Sequence, residues 1–124
     1  MKELLLVCLG GAIGSGARYL VALWAARVTV SIPLGTFTVN VVGSFLLGVV
    51  MTASLRGALS PVARVALAAG VMGGFTTYSS FNWEMLASLE RGAWLVAALY
   101  GGVTLVSCLV AGAAGAALTR AVVP

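Results

Sequence analysis

The sequence predicts an all-α membrane protein with four transmembrane helices, the third of them broken. Three observations predict this. The 124 residues are 61% hydrophobic and 8% charged, with mean hydropathy +1.12, whereas about a quarter of residues carry charge in ordinary soluble domains. The apolar residues fall into four stretches. About 20 apolar residues cross a bilayer once as a helix, so a single integral membrane domain fills the chain and leaves no room for a soluble one. The third stretch is interrupted by Gly73-Gly74-Phe75-Thr76-Thr77-Tyr78-Ser79-Ser80-Phe81, which sets two glycines, four hydroxyl residues and a tyrosine into apolar surroundings.

Span one runs from about Leu4 to Ala26, closed by Arg27 and the Ser31-Ile32-Pro33 turn. Its start imitates a signal peptide, but the apolar run continues and three more spans follow, so it is expected to be retained. Span two runs from about Gly35 to Leu55 and is followed by the short connection Arg56 to Pro61. There Ser60 suits an N-cap and Pro61 a first helical residue. Span three runs from Pro61 to about Leu89, long for a regular crossing, with the break near 73–77. After Glu90-Arg91-Gly92, span four runs from about Ala93 to Leu118, with Arg120 as its end. Trp24 and Trp94 lie near span ends, where amphipathic aromatics settle at the interface.

Four spans place both termini on one side, with Lys2, Arg56, Arg64 and Arg120, while Arg27 and Arg91 lie on the other. The positive-inside rule orients the first set toward the cytoplasm. The bias is small enough to permit insertion both ways. The formal charge of +4 is spread too thinly for a nucleic-acid patch. Without histidine, and with Cys8 and Cys108 alone in apolar segments, neither a disulfide framework nor a His/Cys metal site is expected. Small residues are dense at 10–16, at Gly43, Ser44 and Gly48, and at Gly112 and Gly115. They let helix backbones approach closely in lipid. Four short helices have little interior for polar groups, so a homo-oligomer covers them more economically.

Several polar residues then need a role. In lipid every backbone polar group needs a partner, so a break at membrane depth persists only where protein or a wet cavity surrounds it. Such breaks are where transporters hold ions. The half-helix ending near Gly73 presents carbonyls suited to a hard cation such as sodium, and the half starting near Thr76 or Thr77 presents N–H groups suited to an anion. In a two-fold dimer one cation could lie between the breaks. Asn40 shares a helix face with Thr36 and Ser44 and serves either as an interhelical hydrogen bond or as a donor on an ion path. Arg18 either snorkels to an interface or stands at the mouth of a water-filled vestibule. Tyr78 and Phe81 share a face and either pack or turn electropositive ring edges toward an anion, with Thr77 and Ser80 as hydroxyl donors beside them. Tyr100, Thr104 and Cys108 form a polar rail every fourth residue on span four.

These residues resemble the CrcB/Fluc fluoride channels. Gly10-Gly11-Ala12-Ile13-Gly14-Ser15-Gly16-Ala17-Arg18-Tyr19 resembles their glycine-rich first helix, Gly35-Thr36-Phe37-Thr38-Val39-Asn40-Val41-Val42-Gly43 their second-helix motif, and Gly73 through Phe81 their third-helix break. The resemblance implies an antiparallel homodimer of dual topology in the inner membrane of a bacterial or archaeal cell. Two fluoride pores would run along the dimer around a structural sodium ion. It implies that Gly73 and Thr76 hold sodium through backbone carbonyls, that Asn40, Tyr78 and Phe81 line the fluoride path, that Arg18 stands in the vestibule, and that Tyr100, Thr104 and Cys108 form the polar track. Tyr78 departs from the usual phenylalanine, and Cys108 stands where a hydroxyl is expected. Nothing here implies an enzyme. Two alternatives differ in class. A small multidrug-type, proton-coupled transporter needs a deep carboxylate, for which Glu84 is the nearest candidate. A structural membrane subunit would use the glycines alone.

Overall fold

The computed structural model describes residues 1–28 and 32–124, and among these the chain is helical without strands. Three helices are long and apolar enough to cross a membrane: α1 (Lys2–Ala25), α2 (Leu34–Leu55) and α6 (Trp94–Val122). Between α2 and α6 the chain passes through α3 (Pro61–Val65), a π-helix (Ala66–Met72), α4 (Gly73–Phe75) and α5 (Tyr78–Glu90).

Local sequence sets most boundaries. Glu3 in the first turn of α1 complements the positive end of its dipole. Pro33 directly precedes α2; Ser31 of the expected turn lies outside the described residues. α2 ends in a Schellman motif: Gly57 adopts φ +74°, its N–H reaches the Ser54 carbonyl, and the Ala58 N–H reaches that of Ala53. α5 ends the same way, with Gly92 at φ +74° and the Ala93 N–H on the Ser88 carbonyl. Ser60 caps α3 by accepting the Ala63 N–H at 3.2 Å, and Pro61 is its first residue. Arg120, expected as the end of the last span, does not end the last helix. It lies in the final turn of α6, where a cation faces the helix carbonyls favourably.

The interrupted segment differs from a simple break at glycine. The helix widens to π geometry at Ala66–Met72 and then continues past Gly73 to Phe75. Thr76 (ψ 158°) and Thr77 (φ −150°, ψ 112°) are extended, and Tyr78 restarts the helix. The glycines are thus mainly packing residues. A Cβ on Gly14 would run into the Val71 carbonyl oxygen, and one on Gly74 into that of Gly11, so α1 lies backbone to backbone on this segment. On the other side Gly48 meets the Gly112 carbonyl and Gly115 that of Phe45, which lets α6 run close along α2. Gly16 and Gly102 have nothing within 4 Å of a Cβ and share in neither contact.

The apolar interior is small, centred on Val39, Met72, Phe75, Ala97 and Tyr100, while residues such as Leu20, Leu95 and Leu109 are exposed. Apolar surface on that scale suits a lipid environment rather than water. Trp24 and Trp94 are exposed at helix ends.

Candidate functional site at the helix break

The break is held open by one side chain. The Asn40 carboxamide accepts the Thr77 N–H at 2.8 Å and donates to the Thr77 carbonyl at 3.0 Å, in the manner of a strand neighbour. Two backbone groups that the extended conformation strips from the helix are thereby satisfied, as burial of Thr77 demands. An amide has two N–H donors, so this pairing leaves one for another partner. Both roles weighed for Asn40 are therefore compatible, and the interhelical one is present.

The remaining polar groups of the break close locally. The Thr76 hydroxyl donates to the Met72 carbonyl at 2.9 Å. Thr77 caps α5: its hydroxyl accepts the Ser80 N–H at 3.2 Å and donates to the Ser80 hydroxyl at 3.0 Å. The carbonyls of Gly73 and Thr76 are among those that lose their regular helical donors at the break. The Thr77 N–H goes to Asn40 instead of back to Gly73, and the Ser80 N–H goes to the Thr77 hydroxyl instead of to Thr76. Gly73 itself is exposed.

Cavities lie at the break and along α5. One of about 290 Å³ lies between α2, α5 and α6 and gathers Asn40, Thr76, Tyr78, Phe81, Thr104 and Cys108. A second, of about 310 Å³, places Arg18 with Thr36, Thr77 and Ser80. A third, of about 360 Å³, holds Tyr100 with Glu84. The sequence-predicted residues thus divide: Asn40, Tyr78, Phe81, Thr104 and Cys108 share one space, whereas Arg18, Thr77 and Ser80 line its neighbour. Tyr100 connects through its ring, whose centroid lies 5.3 Å from that of Phe81 with the planes tilted by 52°. Tyr78 continues the series at 6.1 Å from Phe81, again tilted by 52°. Tilted rings present edges as well as faces, and ring edges are electropositive. Tyr78 is 78% exposed, so its outer side faces away from the chain. Thr104 is 4% exposed, and its hydroxyl has no partner among the described residues.

Glu84 belongs to this assembly in a way that sequence reading missed. Its carboxylate accepts the Thr36 hydroxyl at 2.6 Å and the Tyr100 hydroxyl at 2.7 Å, tying α5 to α2 and α6. The signal was a lone acid in an apolar segment, which demands donors; which donors is settled only by the fold.

The family model described as "CrcB-like protein, Camphor Resistance (CrcB)" matches residues 5–116. The chain belongs to the CrcB-like family. Among its curated relatives, a protein of Anaeromyxobacter sp. (strain K) is 59% identical over 122 residues, covering 97% of each chain. One from Sorangium cellulosum is 44% identical over 122 residues, covering 97% of this chain and 96% of the relative. One from Thermus thermophilus is 50% identical over 101 residues, 81% of each. All three bear the name fluoride-specific ion channel FluC. This CrcB-like chain therefore falls among ion channels and not among enzymes.

Proposed function

We propose that the protein is a fluoride-selective channel that lets fluoride leave the cytoplasm, working as an antiparallel homodimer of dual topology in a bacterial or archaeal inner membrane. The observation that carries this reading is the cavity shared by Asn40, Tyr78, Phe81, Thr104 and Cys108, in a chain whose relatives bear the fluoride-channel name. A strongly hydrated small anion gives up water only where donors replace it at close quarters. The cavity supplies the second Asn40 N–H, the Thr104 hydroxyl and the ring edges of Phe81 and Tyr78. Arg18, with Thr77 and Ser80 in the neighbouring cavity, attracts anions toward this path. Fluoride enters cells as neutral HF and dissociates inside, so a passive anion exit lowers its internal concentration.

In this reading α3 through α5 together make the fourth crossing, and both termini share one side. The bond from the Arg56 guanidinium at the end of α2 to the Val123 carbonyl, 2.7 Å, agrees with that arrangement. The carbonyls of Gly73 and Thr76, released from their helical donors, are suited to a sodium ion. Such an ion would neutralise their partial negative charge where two breaks meet. The exposed Tyr78 and Gly73 are the groups that a second copy would cover.

A proton-coupled exchanger needs a carboxylate free to trade protons for cargo. Glu84 instead accepts two internal hydroxyls, which fits a structural tie. The test is fluoride efflux from liposomes containing only this protein. Electrogenic efflux above protein-free controls supports a channel, and substrate-dependent proton flux abolished by Glu84→Gln would favour the exchanger.

A further inference from the structure

We propose that Cys108 is an oxidation site on the ion path, which a small neutral hydroperoxide converts to a sulfenic acid held by Thr104, and that this modification closes the path. The inference rests on the channel reading for its effect on flux, but not for its chemistry. Two independent observations meet in one cavity. The Cys108 thiol is half-buried and lines the same space of about 290 Å³ as Asn40 and Phe81. One helical turn before it, Thr104 is 4% exposed, lines that space, and carries a buried hydroxyl that has no partner among the described residues. A buried hydroxyl without a partner calls for a polar occupant.

Residues four apart on a helix have Cβ atoms about 5–6 Å apart. An oxygen added to the Cys108 sulfur therefore falls within reach of the Thr104 hydroxyl, which donates to it. The step balances simply. The Cys108 sulfur attacks one peroxide oxygen, the O–O bond breaks, and the other oxygen takes up the proton given up by the thiol and leaves as water. Sulfur is oxidised by two electrons and peroxide is reduced by two. A water molecule occupies about 30 Å³ in the liquid, and hydrogen peroxide is little larger, so the cavity admits it with room to spare. It is uncharged and needs no ion path to arrive. Sulfenic acids are reduced again by thiols, so the block is reversible. Cys8 offers a contrast: it is exposed on α1 beside Leu4, Leu5 and Leu9, where no polar neighbour would hold the product.

The experiment treats purified protein in liposomes with hydrogen peroxide and then with dithiothreitol. Dimedone labelling read by peptide mass spectrometry is run in parallel. The expected result is dimedone on the peptide containing Cys108, a severalfold fall in fluoride efflux relative to untreated protein, and recovery with dithiothreitol. The treated-to-untreated ratio should be near unity in Cys108→Ser and unchanged from the parent in Cys8→Ser. Absence of dimedone at Cys108 overturns the site. Labelling with unaltered efflux overturns the closure. Labelling in protein that shows no efflux before treatment keeps the site and counts against the channel reading instead.

Discussion

At the residue scale, Asn40 and Phe81 carry separable loads. Asn40 pairs with both backbone groups of Thr77, so Asn40→Ala leaves a buried N–H and carbonyl without partners. Each such loss costs about 1–3 kcal/mol, and thermal unfolding in detergent should occur at a clearly lower temperature. Phe81 has no hydrogen bond to lose, and it sits between Tyr78 and Tyr100. Phe81→Ile should therefore leave assembly on size-exclusion chromatography intact while cutting fluoride flux; normal flux would remove the ring edge from the mechanism. Glu84→Gln should lower stability, since hydrogen bonds to a charged group contribute about 1.5–3 kcal/mol and the carboxylate accepts two. Unchanged unfolding would mean that the two hydroxyls are satisfied as well by an amide. The candidate residues were legible as polar groups at helical spacing. Their pairing was not, because Thr36 and Glu84 stand 48 positions apart and no periodicity links them.

At the scale of elements, the start of a helix at Ser60 and Pro61 was readable from local chemistry. The left-handed backbone at Gly57 and Gly92, which ends two helices, emerged only with the fold. The π-helix and the offset of the break to Thr76 and Thr77 were not readable, because both depend on what lies against the segment. α1 comes so close that Gly10, Gly14 and Gly74 admit no side chain, and Asn40 captures Thr77 from α2. The glycines accordingly predict a contrast. Gly115→Ala drives a methyl into the Phe45 carbonyl and should lower the melting temperature by separating α6 from α2. Gly102→Ala meets nothing within 4 Å and should be neutral or stabilising, since alanine favours a helix over glycine by about 1 kcal/mol. Equal effects at the two positions would mean that α2 and α6 are not packed backbone to backbone.

At the scale of the whole molecule, composition alone placed the chain in a membrane, and the order of its motifs pointed to its family. The cavities at and beside the break add what the linear sequence lacked, namely which donors share a space. Asn40, Phe81 and Thr104 share one space, and Arg18 with Thr77 and Ser80 borders the next. A single chain leaves Tyr78 and most of its apolar surface uncovered, which is the physical case for a second copy in the bilayer. The most direct measurement is fluoride efflux from liposomes reconstituted with the pure protein, followed by electrode and compared with chloride under the same gradient. A fluoride channel gives rapid efflux that accelerates when a potassium ionophore relieves the electrical imbalance, with chloride left behind. Efflux no faster than in protein-free liposomes, or chloride released as readily as fluoride, would contradict it.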